Sequence, residues 1–336
     1  MEHEHEHDSA PIGVLLMAYG TPETPDQVEG YFTDIRGGRK PSPKAVEHLK
    51  ERYRLVGGKT PLLEITNEVA TKLQDKLRAG GGNFNVYAGM KHWHPYIGSV
   101  MERMADDGVK RVVTFALAPH CSHISLGGYR KAVDEGQQKL GNPFDIPYIK
   151  CWHHNPQFRQ MMAGLVREGL AQFPEDRRGN VTVVFSAHSL PERIRTWDDP
   201  YERQLLESSA AVAELVGVVN WRFAFQSAGN TGEPWLGPDI LDFLDTLHSE
   251  GVENVLSVPI GFVSDHLEIL YDLDIEAKEK ARELGITYHR TSMPNARPEF
   301  IEVLASVVKE NLESPVPCSC YPDLVRIAPL SNAATR

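Results

Sequence analysis

The chain has 336 residues, 41% of them apolar, with 46 acidic and 35 basic side chains and a formal net charge of −11. That length supports two domains with substantial cores, and the acidic balance argues against non-specific nucleic-acid binding. No window reaches the roughly 18 uninterrupted apolar residues of a membrane helix, so no transmembrane segment is expected.

Residues 1–10, Met1-Glu-His-Glu-His-Glu-His-Asp-Ser-Ala10, read as a tag-like or disordered tail. They lack the apolar stretch of a secretory signal, which makes the cytoplasm the expected compartment. The first strand is expected over Gly13–Ala18, ending in Tyr19-Gly-Thr-Pro22. Helical spacing follows over Glu64–Arg78, a strand over Val86–Gly89 and a helix over Ile97–Ala105. Arg111–Ala118 reads as a strand that runs into Pro119-His-Cys-Ser-His123, and Phe158–Phe173 as a helix. Then come the strand Val181–Ser186, a helix over Gln204–Leu215, the strand Arg222–Gln226, a helix over Pro238–Ser249 and the strand Asn254–Pro259. A carboxylate-rich helix carrying Glu268 follows this strand. Helices near Asp274–Leu284 and Pro298–Leu312 complete the pattern. Strands alternating with helices imply parallel βαβ units. Two such sets, breaking near Phe158, predict two doubly wound lobes with a cleft between them. No Gly-x-Gly-x-x-Gly follows the first strand, so a dinucleotide site has no support.

Open α/β sheets bind ligands at the carboxyl ends of their strands, and five strand ends here are chemically dense. The last contains Glu268, Asp272 and Glu276, spaced i, i+4, i+8, which stack on one face of a helix and repel one another. Either that face is solvated, or it meets a cation or trades protons. His188, at the end of another strand, can approach the same edge. An imidazole beside a carboxylate can bind a divalent metal or pass protons near neutral pH. Ser186-Ala-His188-Ser189 could suggest a Ser/His hydrolase, but Gly-x-Ser-x-Gly is absent and no separate base is spaced for it.

The motifs Met17-Ala-Tyr-Gly-Thr-Pro22, Ser186-Ala-His-Ser-Leu-Pro191, Gln226-Ser-Ala-Gly-Asn-Thr231, Pro234-Trp-Leu-Gly-Pro238 and Pro259-Ile-Gly-Phe-Val-Ser-Asp-His-Leu-Glu268 occur in that order. Together they resemble the ferrochelatases, over about Ile12 to Asn311, and most closely the soluble bacterial branch that uses coproporphyrin III. The resemblance implies an α/β fold of the class II chelatase type: two Rossmann-like lobes with parallel four-stranded sheets around a porphyrin cleft. The expected division is 11–157 and 158–312 for the lobes and 313–336 for a C-terminal extension. The implied reaction inserts ferrous iron, a substrate, into coproporphyrin III, giving Fe-coproporphyrin III (coprohaem). The alternatives are a protoporphyrin IX ferrochelatase, another class II metal chelatase, or a porphyrin carrier.

The resemblance makes His188 and Glu268 the pair at the metal, and Asp272 and Glu276 a proton or metal relay. A base at the ring must take protons without being permanently charged, which suits His188. The resemblance assigns porphyrin contacts to Tyr19, Arg36, Arg52, Tyr53, Thr60 and Tyr129. Thr60 stands where serine is usual, and Ala228 where an acid is common in the soluble branch. Some ferrochelatases hold a [2Fe–2S] cluster, for which Cys121, Cys151, Cys318 and Cys320 would be the ligands here. The usual third tail cysteine is missing. A monomer is expected, with the downstream coprohaem decarboxylase as a partner.

Overall fold

The described residues run β1 (Ile12–Ala18), α1 (Val28–Ile35), α2 (Pro43–Leu55), α3 (Leu62–Ala79), β2 (Phe84–Met90), α4 (Ile97–Asp106), β3 (Arg111–Ala116), α5 (His123–Lys139), β4 (Tyr148–Ile149) and α6 (Pro156–Leu170). They continue β5 (Thr182–His188), α7 (Tyr201–Val216), β6 (Trp221–Gln226), α8 (Ile240–Ser249), β7 (Asn254–Val258), a π-helix (Glu268–Ala277), α9 (Lys278–Glu283), β8 (Thr287–Arg290) and α10 (Pro298–Glu313). The computed structural model describes residues 10–229 and 231–313.

The strands form two four-stranded sheets, ordered β2-β1-β3-β4 and β6-β5-β7-β8, and every pairing is parallel. This is the expected doubly wound plan, used twice. In each sheet the order reverses beside the first strand, so the crevice opens at the carboxyl ends of β1 and β3 in one lobe and of β5 and β7 in the other. All the chemically dense turns read from the sequence except that following β6 leave from these four ends. β1 is buried from Gly13 onward, as expected of a parallel strand covered on both faces.

The pattern missed two edge strands, β4 and β8, of two and four residues. They are too short to show a period. It also left α1, α2 and α5 unassigned. In α2 only Val46 and Tyr53 are buried, so its apolar stripe is too narrow to stand out. One apolar cluster joins the two lobes and includes Val14, Leu16, Val183, Phe185, Trp152, Phe158 and Phe300. α10 returns to pack on both α3 and α6. Burying a side chain such as Phe300 stabilises the fold by about 1.5–3 kcal/mol, so this helix ties the lobes firmly.

Two glycines let backbones approach at the crevice. Gly20 has φ +103°, and a Cβ there would lie 2.9 Å from the Trp93 nitrogen. Gly261 donates its N–H to the Ser186 carbonyl at 3.1 Å, and a Cβ there would sit 2.5 Å from that of Ala187. The strand-to-loop crossing that brings Glu268 toward His188 therefore needs glycine.

Candidate active site

His188, the last residue of β5, meets Glu268, the first residue of the π-helix, with Nε2 to Oε1 at 3.3 Å. Both side chains are 32% exposed, so the pair is open to solvent at the carboxyl end of β5. The His188 Nδ1–H donates to the Ser189 carbonyl, which sets the ring's orientation. The His188 carbonyl accepts from the Tyr201 hydroxyl at 3.0 Å. On the other side, Glu268 Oε2 lies 3.5 Å from His266 Nε2. Buried Gln226 links the two strands' ends: it accepts from the Ser186 hydroxyl at 3.0 Å and donates to the Glu268 carbonyl at 3.1 Å. The pair is thus held from both backbones.

Burial pushes the His188 pKa down, but the Glu268 charge and their hydrogen bond outweigh it and carry it up to about 9. Burial likewise opposes ionisation of Glu268, yet His188 and then His266 hold its carboxyl well below the usual range. These shifts make the two an imidazolium–carboxylate ion pair at neutral pH. The Glu268 carboxylate beside the ring is what keeps His188 protonated.

The expected α-helix through the acidic row is a π-helix of ten residues, Glu268–Ala277. Its i→i+5 turns are rare and recur at functional sites. Burial, then the charge of Glu276 five residues on, raises the Tyr271 phenol above its ordinary value. Asp272 is 6% exposed, which rules out a merely solvated face. Its carboxylate contacts Arg52 Nη2, reaching over from α2, and the Ser227 hydroxyl. Burial raises the Asp272 pKa, Arg52 lowers it and Glu268 raises it, for a result of about 6. Arg52 also lies over the Tyr271 ring, 4.3 Å from its centroid. In this structure, then, the predicted porphyrin contact Arg52 is engaged with the predicted relay.

The facing wall comes from the first lobe. Tyr19, 42% exposed, follows β1. Desolvation of the phenol end, then the charges of Glu268 and Asp34, raise it well above the ordinary value, so it stays protonated. The His92 ring packs 4.6 Å from it, and Lys91 Nζ lies 5.6 Å above the Tyr19 ring and 5.2 Å above that of Tyr129. His92 Nδ1–H donates to Asp34 at 2.7 Å, and the Tyr96 hydroxyl reaches the same carboxylate at 3.3 Å. Behind Tyr19, the Thr21 hydroxyl shares hydrogen bonds with Thr60 at 2.8 Å and with Tyr53 at 3.1 Å. Tyr53, Thr60 and Tyr129 are all buried, so they brace the wall rather than form its surface. Arg36 is exposed at the end of α1 and lies over the Phe32 ring at 5.8 Å, outside this cluster.

Sequence reasoning missed Asp34, Lys91 and His92. The segment Lys91-His-Trp-His-Pro95 after β2 was as dense in polar groups as the turns that were singled out. It also missed Thr21 and Ser227, which lay inside quoted motifs but carry no titratable group.

Cys121 and Cys151 are both buried in one apolar cluster. Gln204 spans them, accepting from the Cys121 N–H at 2.7 Å and approaching the Cys151 sulfur at 4.0 Å. Burial pushes the two thiols up, to about 12 and about 11. Beside them, donor atoms of Cys151, His153 and His154 lie within 4.8 Å of one another. Cys318 and Cys320 lie outside the described residues.

Among the described residues no helix is long and apolar enough to cross a membrane. The chain resembles the SirB structure from Bacillus subtilis with Fe3+, at TM-score 0.57 and 14% identity, covering 90% of this chain and 97% of that one. That likeness concerns the fold. A protein named ferrochelatase from Herpetosiphon aurantiacus is 50% identical over 89% of this chain and 99% of its own length. The coproporphyrin III ferrochelatase of Bacillus subtilis is 43% identical over 90% of this chain and 98% of its own. The sequence profile of the ferrochelatases matches residues 11–312, and with a His–Glu pair at the crevice of two such lobes, the chain belongs to the ferrochelatase family.

Proposed function

We propose that this protein inserts ferrous iron into coproporphyrin III, yielding Fe-coproporphyrin III, with His188 and Glu268 handling metal and protons at the ring. The observation that carries the reading is the His188–Glu268 ion pair facing a protonated Tyr19 across an open cleft. The names of the Bacillus-type relatives support this choice of substrate.

The reaction breaks two pyrrole N–H bonds and forms bonds from the ring nitrogens to iron, so two protons leave as two positive charges enter. His188 offers no lone pair at Nε2 while it is an imidazolium. Approach of Fe2+ must first displace that proton to solvent, because imidazole binds metals in its neutral form. Glu268 then balances the cation, and the freed Nε2 can meet the metal or a pyrrole proton. Asp272, with a pKa of about 6, can both take up and release a proton near neutral pH. Glu276 continues the row outward. On the opposite face, Tyr19 contributes a neutral hydroxyl.

Four propionates distinguish coproporphyrin III from protoporphyrin IX, which has two. On this reading the exposed Arg36, Arg39 and Lys40 are the cations available to the additional propionates. The test offers both porphyrins side by side with ferrous iron. Faster turnover of protoporphyrin IX would reject the substrate and favour the alternative.

We further propose a [2Fe–2S] cluster held by Cys121, Cys151, Cys318 and Cys320. Two buried thiols brought together around Gln204 suit half of a four-thiolate set. Bound there, the group would supply a one-electron redox centre. Ultraviolet–visible and EPR spectra of anaerobically purified protein test it, and a colourless sample that stays EPR-silent on reduction sinks it. The remaining elements of the reading are a cytoplasmic location, lobes divided as 11–157 and 158–312, and a monomer that passes its product to a coprohaem decarboxylase. Sedimentation equilibrium tests the monomer.

A further inference from the structure

The contact between Arg52 and Asp272 joins residues 220 positions apart, one from each lobe, at the edge of the cleft. The Arg52 side chain is 22% exposed and that of Asp272 only 8%. A guanidinium offers five N–H donors in a rigid fork that suits a carboxylate taken at two nitrogens. Asp272 engages that fork through Nη2, and Arg52 Nε is buried with no hydrogen-bond partner among the described residues. The guanidinium face is fixed on the Tyr271 ring, so the fork stays in place if its partner changes. Asp272 has a second anchor in the Ser227 hydroxyl, which remains when Arg52 is lost to it.

We propose that a carboxylate at the porphyrin periphery exchanges with Asp272 on Arg52, so that docking of the substrate uncovers Asp272. The exchange rests on the porphyrin reading of the cleft. Arg52 is then a positioning residue that holds Asp272 before the substrate docks and the substrate afterwards. The incoming carboxylate satisfies the idle Nε as well as Nη2. Asp272, now without its counter-ion and still beside Ser227, becomes the next acceptor after Glu268 along the π-helix. The relay is complete only when a carboxylated ring is seated, which ties proton removal to substrate occupancy.

The experiment is metal-free binding of coproporphyrin III, followed by fluorescence, to the full chain and to its Asp272→Asn variant. Removing the internal competitor is expected to tighten binding by roughly three- to tenfold, while kcat for iron insertion falls. Coproporphyrin tetramethyl ester, which lacks the competing charge, should bind both proteins alike. Arg52→Ala should weaken the free acid and abolish the difference between Asp272 and Asn. A merely structural role for Asp272 predicts the reverse, weaker binding of acid and ester together. Equal or weaker binding of the acid by Asp272→Asn overturns the exchange, and Asp272→Ser carries the same test if the first variant misfolds. A wild-type chain that binds neither porphyrin refutes the substrate reading itself. Normal binding with no effect of Asp272→Asn refutes only the exchange.

Discussion

His188 Nε2 and Glu268 Oε1 stand 3.3 Å apart across the join of β5 and the π-helix, and neither is buried away from the cleft. The carboxylate raises the imidazole's pKa to about 9 and is itself held ionised by it. The pair thus holds one proton between an imidazole and a carboxylate.

The first prediction concerns that proton. Glu268→Gln removes the charge that raises His188, leaving burial to push the imidazole down. The His188 titration followed by NMR should therefore fall from about 9 to the ordinary value near 6.5 or below it. An unchanged midpoint would mean that Glu268 is not what holds the proton.

Stability should follow the same pair, with opposite signs at the two ends. The folded pKa of His188 is raised, so its contribution is fully present below about 6.5 and fades as pH rises through about 9. That of Glu268 is depressed, so its contribution is present above about 4.3 and is lost on acidification. Urea melts across pH should show His188→Ala losing less relative to wild type at pH 10 than at pH 6.

Catalysis should be far more sensitive than stability here. Positioned proton-transfer groups contribute about 10²–10⁴-fold, so His188→Ala and Glu268→Ala should each lower iron insertion into coproporphyrin III by at least about a hundredfold. Wild-type rates in both variants would remove the pair from the mechanism.

Behind Tyr19, Thr60 shares its hydroxyl with Thr21 in a buried site. Thr60→Val keeps the shape but leaves Thr21 short of a partner, and should cost about 1–3 kcal/mol in a denaturant melt. Thr60→Ser retains the hydroxyl and should cost clearly less.

Gly261→Ala places a methyl 2.5 Å from the Ala187 Cβ beside the His188 strand end. Overpacking of this kind costs about 1–3 kcal/mol, and the displaced loop carries Glu268. Lower thermal stability together with reduced kcat is expected. A melt unchanged from wild type would show that the crossing has slack.

The sequence alone determined the alternation of strands and helices, the two lobes and the turns where chemistry gathers, because each is a local pattern of burial and turn residues. It also singled out His188 and Glu268, since an imidazole and a carboxylate at strand ends are legible wherever parallel strands can be read. Only the tertiary structure decided what those side chains touch. The strands β4 and β8 are too short to carry a period, and the π-helix differs from an α-helix by hydrogen bonds that composition does not mark. The contact of Arg52 with Asp272 spans 220 residues and sets how far Arg52 offsets the burial of that carboxyl. The Asp34–His92 pair is likewise assembled by packing across 58 residues. The protonation of His188 was invisible for the same reason: it depends on the distance and solvent exposure of one carboxylate, which a chain acquires only when its lobes close on a common core.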